Sequence, residues 1–141
     1  MIYLDTSFIA PLVITEDHSA AVEAMVLKVK PGELATSLWT QIELASLVAR
    51  KLRMGELSAT EAEAVRREFS KILDESFKLF VPAAVDFATA AKFLEMPRTG
   101  LRAGDAFHLA IAANQGAKKV WSLDQGLIKA AKQLKLPVSA G

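Results

Sequence analysis

"MIYLDTSFIA" (residues 1–10) joins three residues of strand character, Ile2, Tyr3 and Leu4, to an acid, Asp5, placed where the chain has had no room to reach the surface. Two hydroxyl residues, Thr6 and Ser7, follow at once, and an apolar run resumes at Phe8. A buried strand ending on a carboxylate has an ordinary explanation, because Asp is a favoured N-cap of a following helix. The same position is also where open parallel sheets collect ligands, outside the carboxyl ends of their strands. The choice between the two depends on whether other strands end the same way.

Working outward, strands are expected at Ile2 to Leu4, Leu34 to Thr36, Leu79 to Val81 and Val120 to Leu123, with a marginal one at Val138. Helical spacing fills the segments between them. "SLWTQIELASLVARKLRMG" carries Trp39, Ile42, Ala45, Ala49 and Leu52 on one stripe and stops at Gly55, a helix-ending residue. "SATEAEAVRREFSKILDES" opens with Ser58 and Glu61 at capping-box spacing and continues its apolar stripe through Ala62, Val65, Phe69 and Ile72. Three further helices end at Pro97, Gly116 and Pro137. Strands alternating with helices predict an α/β fold whose parallel sheet is covered on both faces, since parallel neighbours need crossover connections. No repeat, low-complexity tract or linker divides residues 1–141, so one domain is expected.

The 52% apolar content is enough for a substantial core. With no cysteine in the chain, disulfides, thiolate zinc sites and a catalytic thiol are excluded. The start carries no basic lead-in or cleavage site, and the apolar run Phe8 to Ile14 is too short to span a bilayer, so a soluble cytoplasmic protein without a membrane role is expected. A net charge of +1 supplies no whole-molecule field toward nucleic acid. Local charge must serve instead, and the end of the chain is its basic region: Lys118, Lys119, Lys129, Lys132 and Lys135 face only Asp124. Each of these lysines equally suits a solvated helix face.

Asp124 ends "KVWSLD" as Asp5 ends "IYLD", which puts both acids on one edge of a parallel sheet. Asp105 opens the helix "DAFHLAIAA", and Glu43 lies one turn into the helix after the second strand. Separations of 38, 62 and 19 residues mean that only the fold can bring the four together. Capping accounts for each Asp taken alone, and Glu43 has the spacing of a capping box with Thr40, although a helix start at Thr36 or Ser37 suits that segment better. Glu43 is the informative one. Trp39 and Leu47, four residues to either side, put its carboxylate on an apolar strip, where a charge is costly unless paired. No Lys or Arg lies within a turn, Arg50 being one turn further, so an external cation is the economical partner. Oxygen-only ligands select a hard ion such as Mg²⁺ or Mn²⁺, and clustered carboxylates need one to coexist.

Thr6, Ser7 and Ser122 stand beside the acidic strand ends, able to orient a carboxylate or a water, or simply to cap and turn. His108, three residues after Asp105 and on the same helix face, reads first as a structurally paired buried histidine, and His18 as a surface residue. Arg98 and Arg102, in the loop "MPRTGLRAG", are placed either to meet a phosphate or to sit in solvent.

Together "YLDTS" at 3–7, the acid in "TQIELASL", "GDAFHLAIA" at 104–112 and "SLD" at 122–124 resemble the PIN-domain nucleases, and among them the VapC-type toxins of prokaryotic toxin–antitoxin pairs. The match runs in order over nearly the whole chain. The near-neutral charge is its one departure. The resemblance implies a three-layer α/β/α sandwich on a mainly parallel sheet of about five strands. It implies Mg²⁺ or Mn²⁺ held by Asp5, Glu43, Asp105 and Asp124, with the two Asp residues 5 and 105 as principal ligands, and hydrolysis of RNA phosphodiester bonds. It also implies a homodimer and a VapB-like antitoxin partner.

Three rival readings use the same residues differently. An aspartyl-phosphate phosphatase of the haloacid-dehalogenase type wants a second Asp two residues after Asp5, where Ser7 stands; a response-regulator receiver wants an acid at the end of the third strand, where "LFVPAAV" has none. A non-catalytic RNA- or protein-binding module would use the acids as caps alone and would gain no stability from divalent ions.

Overall fold

A computed structural model describes all residues, 1–141. Five strands, β1 (Ile2–Leu4), β2 (Leu34–Ser37), β3 (Lys78–Phe80), β4 (Lys119–Trp121) and β5 (Val138–Ser139), form one sheet in the order β3-β2-β1-β4-β5, every pair parallel. β1 is therefore central. The chain steps outward through β2 and β3, then returns to lay β4 on the other side of β1, so the strand order reverses between β1 and β4. Tyr3 pairs with Val120 and Leu4 with Trp121, and the Asp5 N–H continues the ladder by donating to the Trp121 carbonyl at 3.1 Å.

Strand periodicity sorts the core into two layers. Tyr3, Ala35 and Val120 point to one face, where they meet Phe107, Leu109, Ala110 and Ile111 of one helix and Leu127, Ile128 and Ala131 of another. Leu4, Leu34 and Trp121, one residue out of phase, point to the other face, against Phe8, Leu44, Val48, Val65, Phe69 and Leu73. The result is the three-layer α/β/α sandwich. Tyr3, Leu4, Phe8 and Ile9 are fully buried, each worth about 2 kcal/mol of apolar transfer.

The helices are α1 (Thr6–Ile9), α2 (Ser19–Val26), α3 (Trp39–Arg53), α4 (Ala59–Ser76), α5 (Ala84–Leu94), α6 (Ala103–Asn114) and α7 (Gln125–Gln133). α4 starts with the expected capping box, Ser58 and Glu61 exchanging bonds at 3.1 and 3.0 Å. α3 departs from expectation at two points. Thr36 and Ser37 belong to β2, and the helix starts at Trp39 without a side-chain cap. Its buried stripe is Thr40, Leu44 and Val48, while Ile42 is 60% exposed. The Thr40 hydroxyl donates to the Ser37 carbonyl at 2.8 Å, a bond local to the start of the helix, and Leu44 and Val48 pack into the core layer of Leu4, Phe8 and Phe69, which sets the rotation. Strand limits also shift: β3 and β4 each start and end one or two residues before the hydrophobic patterning predicts, with Ser122 and Leu123 already past β4. None of the helices is long and apolar enough to cross a membrane.

Candidate active site

At the reversal point, between the carboxyl ends of β1 and β4, lies a cavity of about 440 Å³ lined by Asp5, Thr6, Ser7, Glu43, Arg50, Arg102, Gly104, Asp105, His108 and Asp124, with no apolar side chain among them. The fold thus brings all four sequence-predicted acids into one wall. Asp5 comes from the end of β1, Glu43 from α3, Asp105 from the first turn of α6 and Asp124 from the start of α7.

The capping explanation holds for two of these acids and fails for a third. Asp5 Oδ1 accepts from the Phe8 N–H at 3.1 Å and from the Ser7 hydroxyl at 2.7 Å. Asp124 Oδ1 accepts from the Leu127 N–H at 3.0 Å. Asp105 caps nothing: the N-cap of α6 is Arg102, and the Asp105 carboxylate accepts no hydrogen bond. Even in the two caps, Oδ2 takes no hydrogen bond; that of Asp124 only faces an Arg102 nitrogen at 3.9 Å.

Glu43 has a partner that its sequence neighbourhood does not show. Its Oε1 accepts from the Thr6 hydroxyl at 2.7 Å and from Nε2 of His108, which is 2% exposed. The external cation inferred as the economical partner of this acid is thus replaced, at Oε1, by a histidine from a helix 65 residues away. Burial pushes the Glu43 carboxyl up, but His108, Thr6 and the nearby Trp39 indole outweigh it and hold the acid below its ordinary value. The Trp39 Nε1–H faces the carboxylate without completing a hydrogen bond, and it is the one buried side-chain polar atom left without a partner.

The carboxyls of Asp5 and Asp105 are instead raised. Burial raises the Asp5 carboxyl, against the pull of His108 and of the bonds from its hydroxyl neighbours. Asp105 is pushed up to about 6, by burial and by the charges of Asp124, Asp5 and Glu43, which Arg102 only partly offsets. The surroundings of Asp105 are thus short of positive charge. The donors are all oxygens, so they suit a hard divalent ion and not zinc. As they stand, no three of the acidic and imidazole side chains meet at a single point within reach of one ion.

The hydroxyls cross-link the two strand ends. Ser7 Oγ accepts from the Leu123 N–H at 2.9 Å and lies 3.2 Å from Ser122 Oγ, which in turn accepts from the Asp124 N–H at 3.1 Å. Of the two loop arginines, Arg102 lines the cavity, 83% exposed, whereas Arg98 sits in an exposed 3-10 turn (Pro97–Thr99) away from it. The C-terminal lysines are all exposed or half-buried at the surface. Arg50, Gly104 and His108 are the cavity residues that sequence reasoning passed over or read as structural. A Cβ on Gly104 would lie 2.9 Å from Glu43 Oε2 and 3.4 Å from Trp39 Nε1, so the "GD" at the start of α6 was a usable signal.

A family model described as the PIN domain matches residues 2–133. No curated protein matches the chain. Among solved structures, FitAcB from Neisseria gonorrhoeae superposes with a TM-score of 0.71 at 21% identity, covering 98% of this chain and 96% of that one. VapC20 of Mycobacterium tuberculosis, described as a sarcin–ricin loop cleaving toxin, gives 0.70 at 18% identity, with 90% and 92% covered. VapBC2 from Rickettsia felis, bound to a DNA fragment from its promoter, gives 0.65 at 16% identity, with 99% and 98% covered.

Proposed function

The chain belongs to the PIN-domain family, and from that premise we propose that it is a Mg²⁺- or Mn²⁺-dependent endoribonuclease, the toxin of a VapBC-type pair. The observation that carries this reading is the division of labour within each acid. Asp5, Glu43 and Asp124 each give one oxygen to the protein, through a cap or through Thr6 and His108, and keep the other free of hydrogen bonds beside the unbonded Asp105. A set of pure caps has no use for the fourth acid or for the burial and the neighbouring charges that lift Asp105.

Asp5, Asp105, Asp124 and the free oxygen of Glu43 would hold the ion. When bound, such an ion lowers the pKa of a water and offsets charge on a scissile phosphate. The chain's own residues do the rest. Asp5 is immobilised by Ser7 and the Phe8 N–H, Glu43 by Thr6 and His108, so their directions are set before substrate arrives. Arg102 and Arg50, at the cavity wall, supply positive charge for a phosphodiester backbone at the site itself. VapBC and FitAB structures among the similar ones support a VapB-like antitoxin partner. A homodimer and a cytoplasmic setting complete the proposal.

The test is cleavage of total small RNA with Mg²⁺ or Mn²⁺, with EDTA, and by Asp5→Asn purified identically. Asn preserves the helix cap and the fold, so metal-dependent cleavage lost in both controls establishes the carboxylate nuclease. An active Asp5→Asn protein overturns it.

A further inference from the structure

One buried chain of hydrogen bonds ends on Glu43 and is not used by the four-acid reading. It begins at Ser37 on β2, whose Oγ accepts from the Tyr3 hydroxyl at 2.9 Å. The Tyr3 hydroxyl and His108 Nδ1 are hydrogen-bonded at 2.8 Å, and His108 Nε2 reaches Glu43 Oε1. Thr6 closes the chain from the other side: its hydroxyl proton goes to Glu43 Oε1, and its oxygen lies 3.2 Å from His108 Nε2. With a carboxylate and an already committed hydroxyl as its neighbours, Nε2 is the donor. Tyr3, Ser37 and His108 are 0%, 0% and 2% exposed, so the imidazole has neither solvent nor space in which to turn.

From this geometry we infer that His108, locked by Tyr3, is a positioning residue that holds Glu43 by one oxygen and so presents the other, Oε2, to the cation. The inference rests on the metal-site reading above and adds to it the residue that sets the site's affinity. Its physical basis is general. A glutamate on a helix has three rotatable bonds, and a partly exposed one samples many directions; two donors on Oε1 leave Oε2 in a single place, beside Gly104. A partner that orients a ligand in this way is worth roughly ten- to a hundredfold in metal affinity or activity. Trp39, flanking the same carboxylate with an unpartnered N–H, narrows the space further.

The experiment is Mn²⁺ binding by isothermal titration calorimetry on the full chain, alongside RNA cleavage and thermal melts. The variants are His108→Ala, His108→Gln, Tyr3→Phe and Val48→Ala. Gln carries an amide nitrogen near the position of Nε2, and Val48→Ala is a buried truncation in the opposite core layer. The expected result is Mn²⁺ affinity at least about tenfold weaker in His108→Ala, a smaller reduction in Tyr3→Phe, partial recovery in His108→Gln and no change in Val48→Ala. Unchanged affinity in folded His108→Ala and Tyr3→Phe overturns the inference and leaves the nuclease reading intact. Reductions that follow melting temperature, Val48→Ala included, also overturn it, as does a parent protein that binds no Mn²⁺. If His108→Ala does not fold, Tyr3→Phe and His108→Gln decide the matter by the same criterion. Weakened Mn²⁺ binding with no RNA cleaved by the parent would instead refute the nuclease reading and support the positioning role.

Discussion

Asp5 and Asp124 cap neighbouring helices through matching atoms: Oδ1 of each accepts from the backbone N–H three residues on, at 3.1 and 3.0 Å, while the two side chains share one cavity. The cap fixes the rotamer, so the cap and the site are one device. Asp105 stands across from this pair with no such restraint, and its behaviour follows from that isolation.

Metal-free protein should lose stability as pH rises. The Asp105 carboxyl is raised from 3.8 to about 6 in the folded state, by burial and by Asp124. The folded chain therefore binds a proton more tightly than the unfolded chain between those values, and the penalty, absent below about pH 4, is complete above about pH 6. Asp105→Asn removes it. Melting curves of parent and variant should coincide near pH 4 and separate by pH 6 to 7, the variant being more stable by about 1 kcal/mol or less because the group is only partly buried and solvent screens its charge. Mg²⁺ should narrow that gap for the parent alone.

Gly104→Ala is expected to separate stability from activity. A Cβ there meets Glu43 Oε2 at 2.9 Å, and the atom it meets is the end of a flexible side chain, so the carboxylate moves and the helix does not. Alanine also favours the first turn of α6 by up to about 1 kcal/mol. The melting temperature should hold or rise while cleavage falls about tenfold or more, because Glu43 is turned from its direction. Full activity in this variant would mean that the position of Oε2 is immaterial.

Arg102→Ala should act on substrate and not on fold. The side chain is 83% exposed and faces Asp124 at only 3.9 Å, too loose a pair to matter for stability. Steady-state cleavage should show KM raised about three- to fivefold with kcat nearly unchanged. The slope of log affinity against log salt should become shallower by about 0.7, the value for one phosphate of a single strand that is no longer neutralised. The same change at Arg98, outside the cavity, should leave both untouched.

The four acids were legible in the sequence because each stands in a local pattern: an acid after a strand, an acid at a helix start, an acid on an apolar strip. The sheet was legible for the same reason, since residues such as Tyr3 and Leu4 alternate between faces. What sequence patterning missed was set by distant partners. The rotation of α3 follows from Leu44 and Val48 packing against Leu4, Phe8, Val65 and Phe69, so a stripe through Ile42, equally good on periodicity, faces outward. His108 lies among Phe107, Leu109 and Ile111 and reads as a core residue; that reading is correct about burial and silent about Glu43, 65 residues earlier. Short α1 was implied only through Asp5 as its N-cap, and α2 escaped because its apolar residues form no clear stripe.

β1 can be flanked on both sides only after β4 exists, and Asp124 lies beyond β4. A chain emerging from the ribosome can build β1, β2, β3 and the helices over them while one wall of the cavity is still missing. Whatever chemistry the acids perform therefore waits until the chain through Asp124 has been made and folded. For an enzyme proposed to cut RNA, that delay separates the growing chain's unfinished site from the RNA-rich surroundings in which it is made.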